Sequence, residues 1–255
     1  MRSVILTRPL SSSDGIQQQL EQSGLTVYPL PTLTLTVLEN TDNEALVVKN
    51  WTSYTIVMFV SQHAAQFAYQ HMTRLNLSWS PNTWLASVGQ GTLQMLRQLW
   101  PEHTRFIAPM AGDSQDTEGL WQAISEQNEL KTPQKLLIVR AEHGRDTLQQ
   151  LAQQAGWQTD IWACYQRTPR QFSNEEMDQL NQAVSEQTIL VITSIEGLNA
   201  LTQQLSSQQL KNLQSQLLVT IHPRIAQFAE GCGFEHVRCC SPSELTTNLI
   251  QYANA

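Results

Sequence analysis

Hydroxyl, guanidinium and imidazole side chains recur in this sequence directly after short apolar segments. Such segments are typical of buried strands, and in a parallel α/β sheet ligands bind beyond the carboxyl ends of the strands. The residues at these positions include Arg8, Ser61, His63, Thr92, Arg140, Arg145, Tyr165 and Ser194. Groups of this kind, with the free amides of helix starts, bind anions. Ser and Thr are also preferred N-caps, so each hydroxyl could serve only to begin a helix.

Motifs for the common cofactors are absent from the sequence. Gly89 and Gly91 follow a predicted strand, but position 94 is Gln, so the third glycine of the dinucleotide fingerprint is missing. Neither a G-x-x-x-x-G-K-[ST] nor a G-x-S-x-G motif is present. The six histidines and four cysteines show no spacing of metal ligands. We therefore expect no nucleotide cofactor and no metal.

Composition and charge narrow the class of partner. The chain has 255 residues, of which 41% are hydrophobic, enough to bury a core. Its net charge is −7, without a cluster of Lys and Arg, which argues against nucleic acid. The sequence has no apolar run of about 18 residues and no export signal, so we expect a cytoplasmic protein without membrane contact.

We expect a monomer, because no long apolar helix face is left over. In a reducing compartment the four cysteines would be unpaired, and they are expected to be buried as small hydrophobic residues. They are Cys164, Cys232, Cys239 and Cys240.

Ten apolar segments alternate with stretches of helical spacing, which indicates parallel sheets covered by helices. The predicted strands span 4–7, 26–30, 55–60, 84–88, 105–108, 136–139, 159–164, 188–192, 217–220 and 235–239. Two kinds of unit each occur twice. In one, a strand ending in Arg is followed by a Gln-rich helix that stops at Gly24 or Gly156; in the other, a buried strand is followed by Ser61 or Ser194.

The order of these units predicts two similar lobes, each a five-stranded parallel sheet flanked by helices. Two stretches without helical spacing separate an Arg unit from a Ser unit, as linkers do: 32–43, directly after Pro31, and 166–173, which contains Pro169. One lobe would then be discontinuous, formed by 1–31 and 174–255, and the other, 44–165, would be inserted in it. A two-stranded linker would join the lobes and leave a cleft between them. The alternative division pairs residues 1–125 with themselves.

Seven short stretches also occur in a distinctive order along the chain. They are ILTRP, FVSQHAAQF, ASVGQGT, DTEGL, VRAEHGRDTL, ACYQR and ITSIEGL. Each is weak alone, but as a set they resemble the uroporphyrinogen-III synthase family over nearly the whole chain. Members of that family have two α/β lobes joined by a two-stranded linker, the first lobe being discontinuous, so the resemblance implies the same fold here.

The resemblance also implies an activity. The family converts hydroxymethylbilane, a linear tetrapyrrole, into uroporphyrinogen III without a cofactor. Water is lost from the terminal hydroxymethyl group, the substituted carbon of ring D attacks to give a spiro intermediate, and fragmentation and reclosure invert that ring. This would make the protein a lyase of heme biosynthesis.

The resemblance assigns roles to the residues named at the outset. The family tyrosine corresponds to Tyr165, whose phenol would protonate or hydrogen-bond the departing hydroxyl as a helper, since a phenol is a weak acid. The residues implied to bind substrate are Arg8, Ser61, His63, Thr92, Arg140, Arg145 and Ser194.

Two departures keep other functions open. The glycine-rich loop of the family contains Ala141 and His143 here, which casts doubt on a close backbone approach to a substrate carboxylate. The chain could therefore be an inactive paralogue. From another class, it could be a two-lobed protein that closes on a small anion without catalysis.

Overall fold

The computed structural model describes residues 3–9, 15–110, 116–144 and 146–254. Among them lie eleven strands: β1 (Ser3–Leu6), β2 (Val27–Pro29), β3 (Leu33–Val37), β4 (Ile56–Phe59), β5 (Trp84–Ser87), β6 (Phe106–Ile107), β7 (Lys135–Ala141), β8 (Gln158–Pro169), β9 (Thr188–Ile192), β10 (Leu217–Thr220) and β11 (His236–Cys239). The α-helices are α1 (Ile16–Gln22), α2 (Asp42–Lys49), α3 (Gln62–Leu75), α4 (Gln90–Leu99), α5 (Thr117–Ser125), α6 (Thr147–Gln154), α7 (Asn174–Ser185), α8 (Ile195–Thr202), α9 (Ser207–Gln214), α10 (Pro223–Gly231) and α11 (Leu245–Asn254). All ten predicted strands are present.

The chain divides into two compact units, each with its own sheet. Unit 1 combines residues 1–35 with 168–255, and unit 2 spans 36–167. The sheet of unit 1 has the order β11-β10-β9-β1-β2, and all its pairs are parallel. The second sheet has the order β3-β8-β7-β4-β5-β6, and β8 through β6 pair in parallel. The prediction of an α/β fold with parallel sheets flanked by helices is therefore confirmed.

The second sheet has six strands where five were expected. The additional strand, β3, lies inside the stretch predicted as the first linker. It runs antiparallel to β8, because Leu38 donates its N–H to the carbonyl of Cys164 (3.1 Å) whereas Arg170 donates its N–H to the earlier Thr32 (2.9 Å). The stretch directly follows Pro31, and only Thr32 and Leu33 in it are buried, so its sequence resembles a linker although its backbone is paired.

The two sheets share one strand order, as the internal repeat leads us to expect. In unit 1, β1 lies beside β9; in unit 2, their counterparts β7 and β4 are neighbours. The helices after β1 and β7 also end alike. Gly24 and Gly156 both adopt a positive φ (81° and 79°). The N–H of Leu25 (3.1 Å) and of Trp157 (2.9 Å) each donates to the carbonyl five residues earlier, a common helix-ending pattern.

Both faces of the first sheet are buried, which explains the continuous apolar strands. One face carries Ile5 and Leu190, and the other carries Val4 and Ile189, all of them fully buried. A strand covered on both sides has no solvent-facing positions for polar residues, so they are found beyond its ends. Among the described residues no helix is both long and apolar enough to cross a membrane.

The cysteines differ from expectation. Only Cys164 is buried; Cys232 and Cys240 are partly exposed, and Cys239 is exposed. The prediction of four buried cysteines is thus wrong for three of them. Cys239 ends β11, a strand at the edge of its sheet, and edge strands have a less covered surface.

Arg170 fixes the returning chain to unit 1 just after β8. Its guanidinium donates to the carboxylate of Glu176 (2.7 Å) and to the carbonyl of Pro31 (3.4 Å). The same carboxylate accepts the N–H of Ser173, whose hydroxyl caps α7. The hydrogen bond from Arg170 holds the pKa of Glu176 below its usual value.

This ion pair predicts a stability that depends on pH. Because the pKa of Glu176 is lowered by folding, its contribution is present above the unfolded pKa of about 4.3 and is lost as the pH falls through the folded value. The Glu176→Gln variant keeps the capping box but removes the charge, so we expect it to lose about 0.5–1 kcal/mol of unfolding free energy at neutral pH.

Urea denaturation at pH 7 and near pH 3 measures this difference, with Glu175→Gln as the control. Glu175 lies in the same first turn of α7 and is exposed, so it matches the loss of charge at the helix N-terminus. Equal effects of the two variants at neutral pH would contradict a role for the ion pair.

Candidate functional site

Tyr165 lies in β8 and is almost wholly buried, with 3% of its surface exposed. Its ring stacks on that of Phe67 in α3, with centroids 4.9 Å apart and planes 7° from parallel. Its hydroxyl lies 3.4 Å from the hydroxyl of Ser61. The stacked ring holds the phenol in one place at the carboxyl end of the sheet, beside a helix start.

A β-bulge in β8 sets the direction of Tyr165. Arg140 of β7 pairs with Ala163, but the next residue, Ala141, pairs with Tyr165. Cys164 is therefore an extra residue in β8. Beyond it, the carbonyl of Tyr165 accepts the N–H of Glu142 (2.8 Å), so pairing resumes at once.

The bulge brings two consecutive side chains onto one helix. Neighbouring residues of a regular strand face opposite sides of the sheet. Here the sulfur of Cys164 lies 3.8 Å from the carbonyl of Ala64 in α3, and the ring of Tyr165 stacks on Phe67 of the same helix. Burial raises the pKa of the Cys164 thiol, so this sulfur stays protonated and packs rather than acting as a nucleophile.

Ser61 begins α3, where its hydroxyl accepts the N–H of Ala64 (3.2 Å). His63 lies in the first turn of the same helix and is partly buried. The hydroxyl of Ser61 thus has two neighbours, the amide that it caps and the phenol of Tyr165. Ser61 can therefore cap α3 and also belong to the candidate site, although the sequence analysis treats these two roles as alternatives.

Thr92 lies in the first turn of α4, next to the start of α3. It is 8% exposed and follows Gly91. A Cβ at Gly91 would come within 2.8 Å of the side-chain nitrogen of Gln62 in α3, so the two helix starts approach closely. Helix starts carry free N–H groups and a partial positive charge, which favours an anion.

Arg140 is the second-last residue of β7 and is mostly covered. Its guanidinium contacts Asp146 at 2.8 Å, and 11% of its side chain is exposed. A Cβ at Gly144 would lie 3.1 Å from the Cδ of Arg140, so this remaining glycine lets the loop close over the arginine. His143, at one of the lost glycines, leaves its side chain 86% exposed. Arg145 lies outside the described residues.

Arg8 and Ser194 belong to unit 1. Arg8 follows β1 and is partly buried, and Ser194 caps α8 by accepting the N–H of Gly197 (2.9 Å). Thr32 lies close by, because a Cβ at Gly197 would lie 3.0 Å from the hydroxyls of both Thr32 and Ser194. These polar groups lie at the carboxyl end of the first sheet.

The predicted residues therefore fall into two sets. Four of them lie in or shortly after four adjacent strands of unit 2, β8, β7, β4 and β5: Tyr165, Arg140, Ser61 and Thr92. His63 follows Ser61 in α3, while Arg8 and Ser194 belong to the first sheet. Two members of the first set, Tyr165 and Ser61, contact each other directly through their hydroxyls.

Two buried residues near Tyr165 have no counterpart in the predicted set. His71 of α3 is 1% exposed and Glu44 of α2 is 4% exposed. The Nε2 of His71 donates to the carbonyl of Cys164 (2.8 Å), and its Nδ1 lies 2.5 Å from the carboxylate of Glu44. They are 27 residues apart and belong to no motif, so the sequence carries no signal that pairs them.

Unit 1 contains a cavity of about 860 Å³ that is separate from the predicted site residues. It is bounded by the first residues of β9, β10 and β11 and contains none of the predicted residues. Because ligands of parallel sheets bind at the carboxyl ends, we do not assign it to the site. No group of three or more His, Cys, Asp or Glu side chains within the described ranges could hold a metal ion.

Comparison with known proteins agrees with this architecture. The family model described as uroporphyrinogen-III synthase HemD matches residues 14–246. The uroporphyrinogen-III synthase of Salmonella typhimurium is 25% identical over 239 residues, which cover 92% of this chain and 94% of the relative. That of Proteus mirabilis is 25% identical over 180 residues, covering 68% and 84%.

Two solved structures share the fold. The Thermus thermophilus uroporphyrinogen III synthase mutant has a TM-score of 0.62 with 11% identity and covers 99% of this chain and 98% of its own. The Helicobacter pylori uroporphyrinogen-III synthetase has a TM-score of 0.60 with 13% identity over the full length of both chains.

The capping role of Ser61 is testable by stability. Ser61→Ala removes the acceptor for the N–H of Ala64, so we expect the free energy of unfolding to fall by about 1 kcal/mol. Ser61→Thr keeps a hydroxyl and should lose much less. Urea denaturation followed by circular dichroism measures both. If the alanine variant were as stable as the unchanged chain, Ser61 would not act as a cap.

Proposed function

We infer that this chain, which belongs to the uroporphyrinogen-III synthase family, cyclises hydroxymethylbilane to uroporphyrinogen III, and that Tyr165 and Ser61 lie at its reacting centre. The family match over residues 14–246 carries the activity, which makes the protein a lyase of tetrapyrrole biosynthesis. The 3.4 Å approach of the two hydroxyls supports the location of the centre.

The first chemical task is to remove hydroxide from the terminal carbon of the substrate. The C–O bond breaks with its electrons on oxygen, and a proton completes a molecule of water. The electron-rich pyrrole takes up the positive charge as an azafulvene cation. A hydroxyl pair such as Tyr165 and Ser61 can donate a hydrogen bond to the departing oxygen, and general-acid assistance contributes about 10²–10⁴-fold.

The second task is to bring ring D against this cation. The substituted carbon of ring D attacks, a spiro intermediate forms, and one bond breaks and forms again at the other position of the ring before a proton is lost. A flexible chain must be folded back for this step, and positioning can supply on the order of 7–11 kcal/mol in ideal cases. The protein's part is thus mainly to hold carboxylate-bearing rings in place.

The remaining predicted residues are proposed to hold those carboxylates. Arg8, Arg140 and Arg145 would supply guanidinium groups, and His63, Thr92 and Ser194 would supply donors near helix starts. The helix starts of α3, α4 and α8 support this role, because their amides favour negative charge. No cofactor is part of the proposal.

A cytoplasmic, monomeric enzyme that acts on a small molecule completes the proposal. The exposed thiol of Cys239 beside that of Cys240 fits a reducing compartment, in which neighbouring thiols stay unpaired.

Replacement of the Tyr165 hydroxyl tests the catalytic role. We expect Tyr165→Phe to lower kcat by roughly 10–100-fold with little change in KM, because the ring still stacks on Phe67 while the donor is lost. The assay uses freshly prepared hydroxymethylbilane, followed by oxidation and separation of the type I and type III isomers.

The matched control is Tyr54→Phe. Tyr54 is also 3% exposed in unit 2 and its hydroxyl is bonded to Asp160 (2.8 Å), but it lies before β4, at the opposite end of the sheet. It should leave kcat unchanged for the folded fraction. Only the type I isomer from the unchanged chain would exclude the synthase activity, and normal turnover of Tyr165→Phe would exclude Tyr165 as the helper.

The charge of the chain predicts a weak dependence on salt. Substrate and protein are both negative, since the chain carries a net charge of −7, so long-range attraction cannot drive binding. We expect KM to rise by less than about threefold between roughly 50 and 500 mM NaCl, because short-range contacts with covered donors are screened little. A tenfold rise would contradict binding by local donors.

A further inference from the structure

We propose that His71 and Glu44 are positioning residues for Tyr165. Together they fix the carbonyl of Cys164 and so the β-bulge from which the tyrosine ring reaches Ser61. The proposal rests on the role given to Tyr165 above, and it concerns two residues that do not touch the reacting atoms themselves.

The carbonyl of Cys164 is held from two directions. It accepts the N–H of Leu38 (3.1 Å) just after β3 and the Nε2–H of His71 (2.8 Å) from α3. A carbonyl oxygen has two lone pairs, so both are used. This oxygen belongs to the extra residue of the bulge, whose peptide leads directly into Tyr165.

The imidazole of His71 is fixed in turn by Glu44. Its Nδ1 lies 2.5 Å from the carboxylate, and both side chains are buried. Arg74 and the N–H of Asn40 (2.9 Å) also donate to this carboxylate. Burial acts to raise the pKa of Glu44, but the hydrogen bonds from Arg74, Asn40 and His71 outweigh it and keep the pKa below its usual value.

Helix α2, which carries Glu44, also holds the part of β8 that precedes the bulge. Asn43, next to Glu44 in α2, donates to the carbonyl of Ile161 (2.5 Å) and accepts the N–H of Ala163 (2.9 Å). The backbone before and at the bulge is therefore held by polar groups of α2 and α3. These contacts set the backbone from which Tyr165 projects, and its ring then stacks on Phe67.

The energetics of the buried His71–Glu44 network favour a functional role for it. A buried polar network contributes little more stability than well-packed apolar residues and is destabilising when only partly satisfied. The network here ends on the carbonyl of Cys164, the bulge residue directly before Tyr165. A displacement of about 1 Å at a reacting group can cost on the order of 100-fold in rate, which explains why such precision is worth keeping.

Two substitutions of His71 separate positioning from packing. Gln places its amide nitrogen where Nε2 lies and can still donate to the carbonyl of Cys164, whereas Asn reaches only the position of Nδ1. We expect His71→Gln to keep kcat within about threefold and His71→Asn to lower it by about tenfold or more, with KM little changed in both.

A spectroscopic measurement reports on Tyr165 without turnover. In protein labelled with ¹³C at the ζ-carbon of tyrosine, Tyr165→Phe removes one resonance and thereby assigns it. That resonance should move in His71→Asn and stay in place in His71→Gln. If the unchanged chain lacked synthase activity, the proposed function would fail, while this resonance would still decide the positioning role.

His103→Gln is the matched control. The Nε2 of His103 also donates to a backbone carbonyl of unit 2, that of Thr83 (2.8 Å), but at the amino end of the sheet. It should change neither kcat nor the Tyr165 resonance. Identical kcat values and resonances in the two His71 variants would overturn the proposal.

Glu44→Gln covers the case in which His71→Asn does not fold. It keeps the size of the side chain but removes the charge facing Nδ1 of His71. We expect a shifted Tyr165 resonance and a several-fold lower kcat for the folded fraction, which thermal unfolding verifies. A variant equal to the unchanged chain in both measurements would also overturn the proposal.

Discussion

Burial of both faces of a parallel sheet is the constraint on which this molecule depends. The central strands are almost wholly apolar, and their side chains alternate between two covered faces. The polar side chains of the candidate site therefore gather at and beyond the carboxyl ends of the strands, where helices begin with free amides. In unit 2, Arg140 and Tyr165 lie near the carboxyl end of the sheet and Ser61 follows β4, while in unit 1 Arg8 and Ser194 follow β1 and β9. The core therefore decides where chemistry can take place.

Within unit 2, the β-bulge in β8 determines the geometry of the candidate site at the carboxyl end of the sheet. A regular β8 would direct Cys164 and Tyr165 to opposite faces, and the phenol would point away from Ser61. The bulge lets both contact α3. The backbone irregularity is held by Leu38 and by the buried pair of His71 and Glu44. Helix α3 therefore has two roles, because it covers the sheet and also contacts the ring of Tyr165 and the carbonyl of Cys164.

Much of the fold was predictable because it follows from local patterns. Ten strands were found from apolar runs, and Gly24 and Gly156 were recognised as the ends of matching helices. The eleventh strand, β3, was missed because its alternating Leu and Thr residues lie close to Pro31 and only Leu33 among them is buried. Its only signal is a partner, β8, that is distant in sequence. The three exposed or partly exposed cysteines were misjudged for the same reason, since exposure depends on neighbours.

The sequence by itself determined the residue types at the strand ends, the class of fold and the family, because each depends on short patterns in a set order. Only the tertiary structure decided that Tyr165 meets Ser61, that Arg140 is covered by Gly144, and that His71 and Glu44 are partners. These contacts join residues from 4 to more than 100 positions apart. No local preference encodes them, because they form only when packed helices and a bulged strand bring the groups within bonding distance.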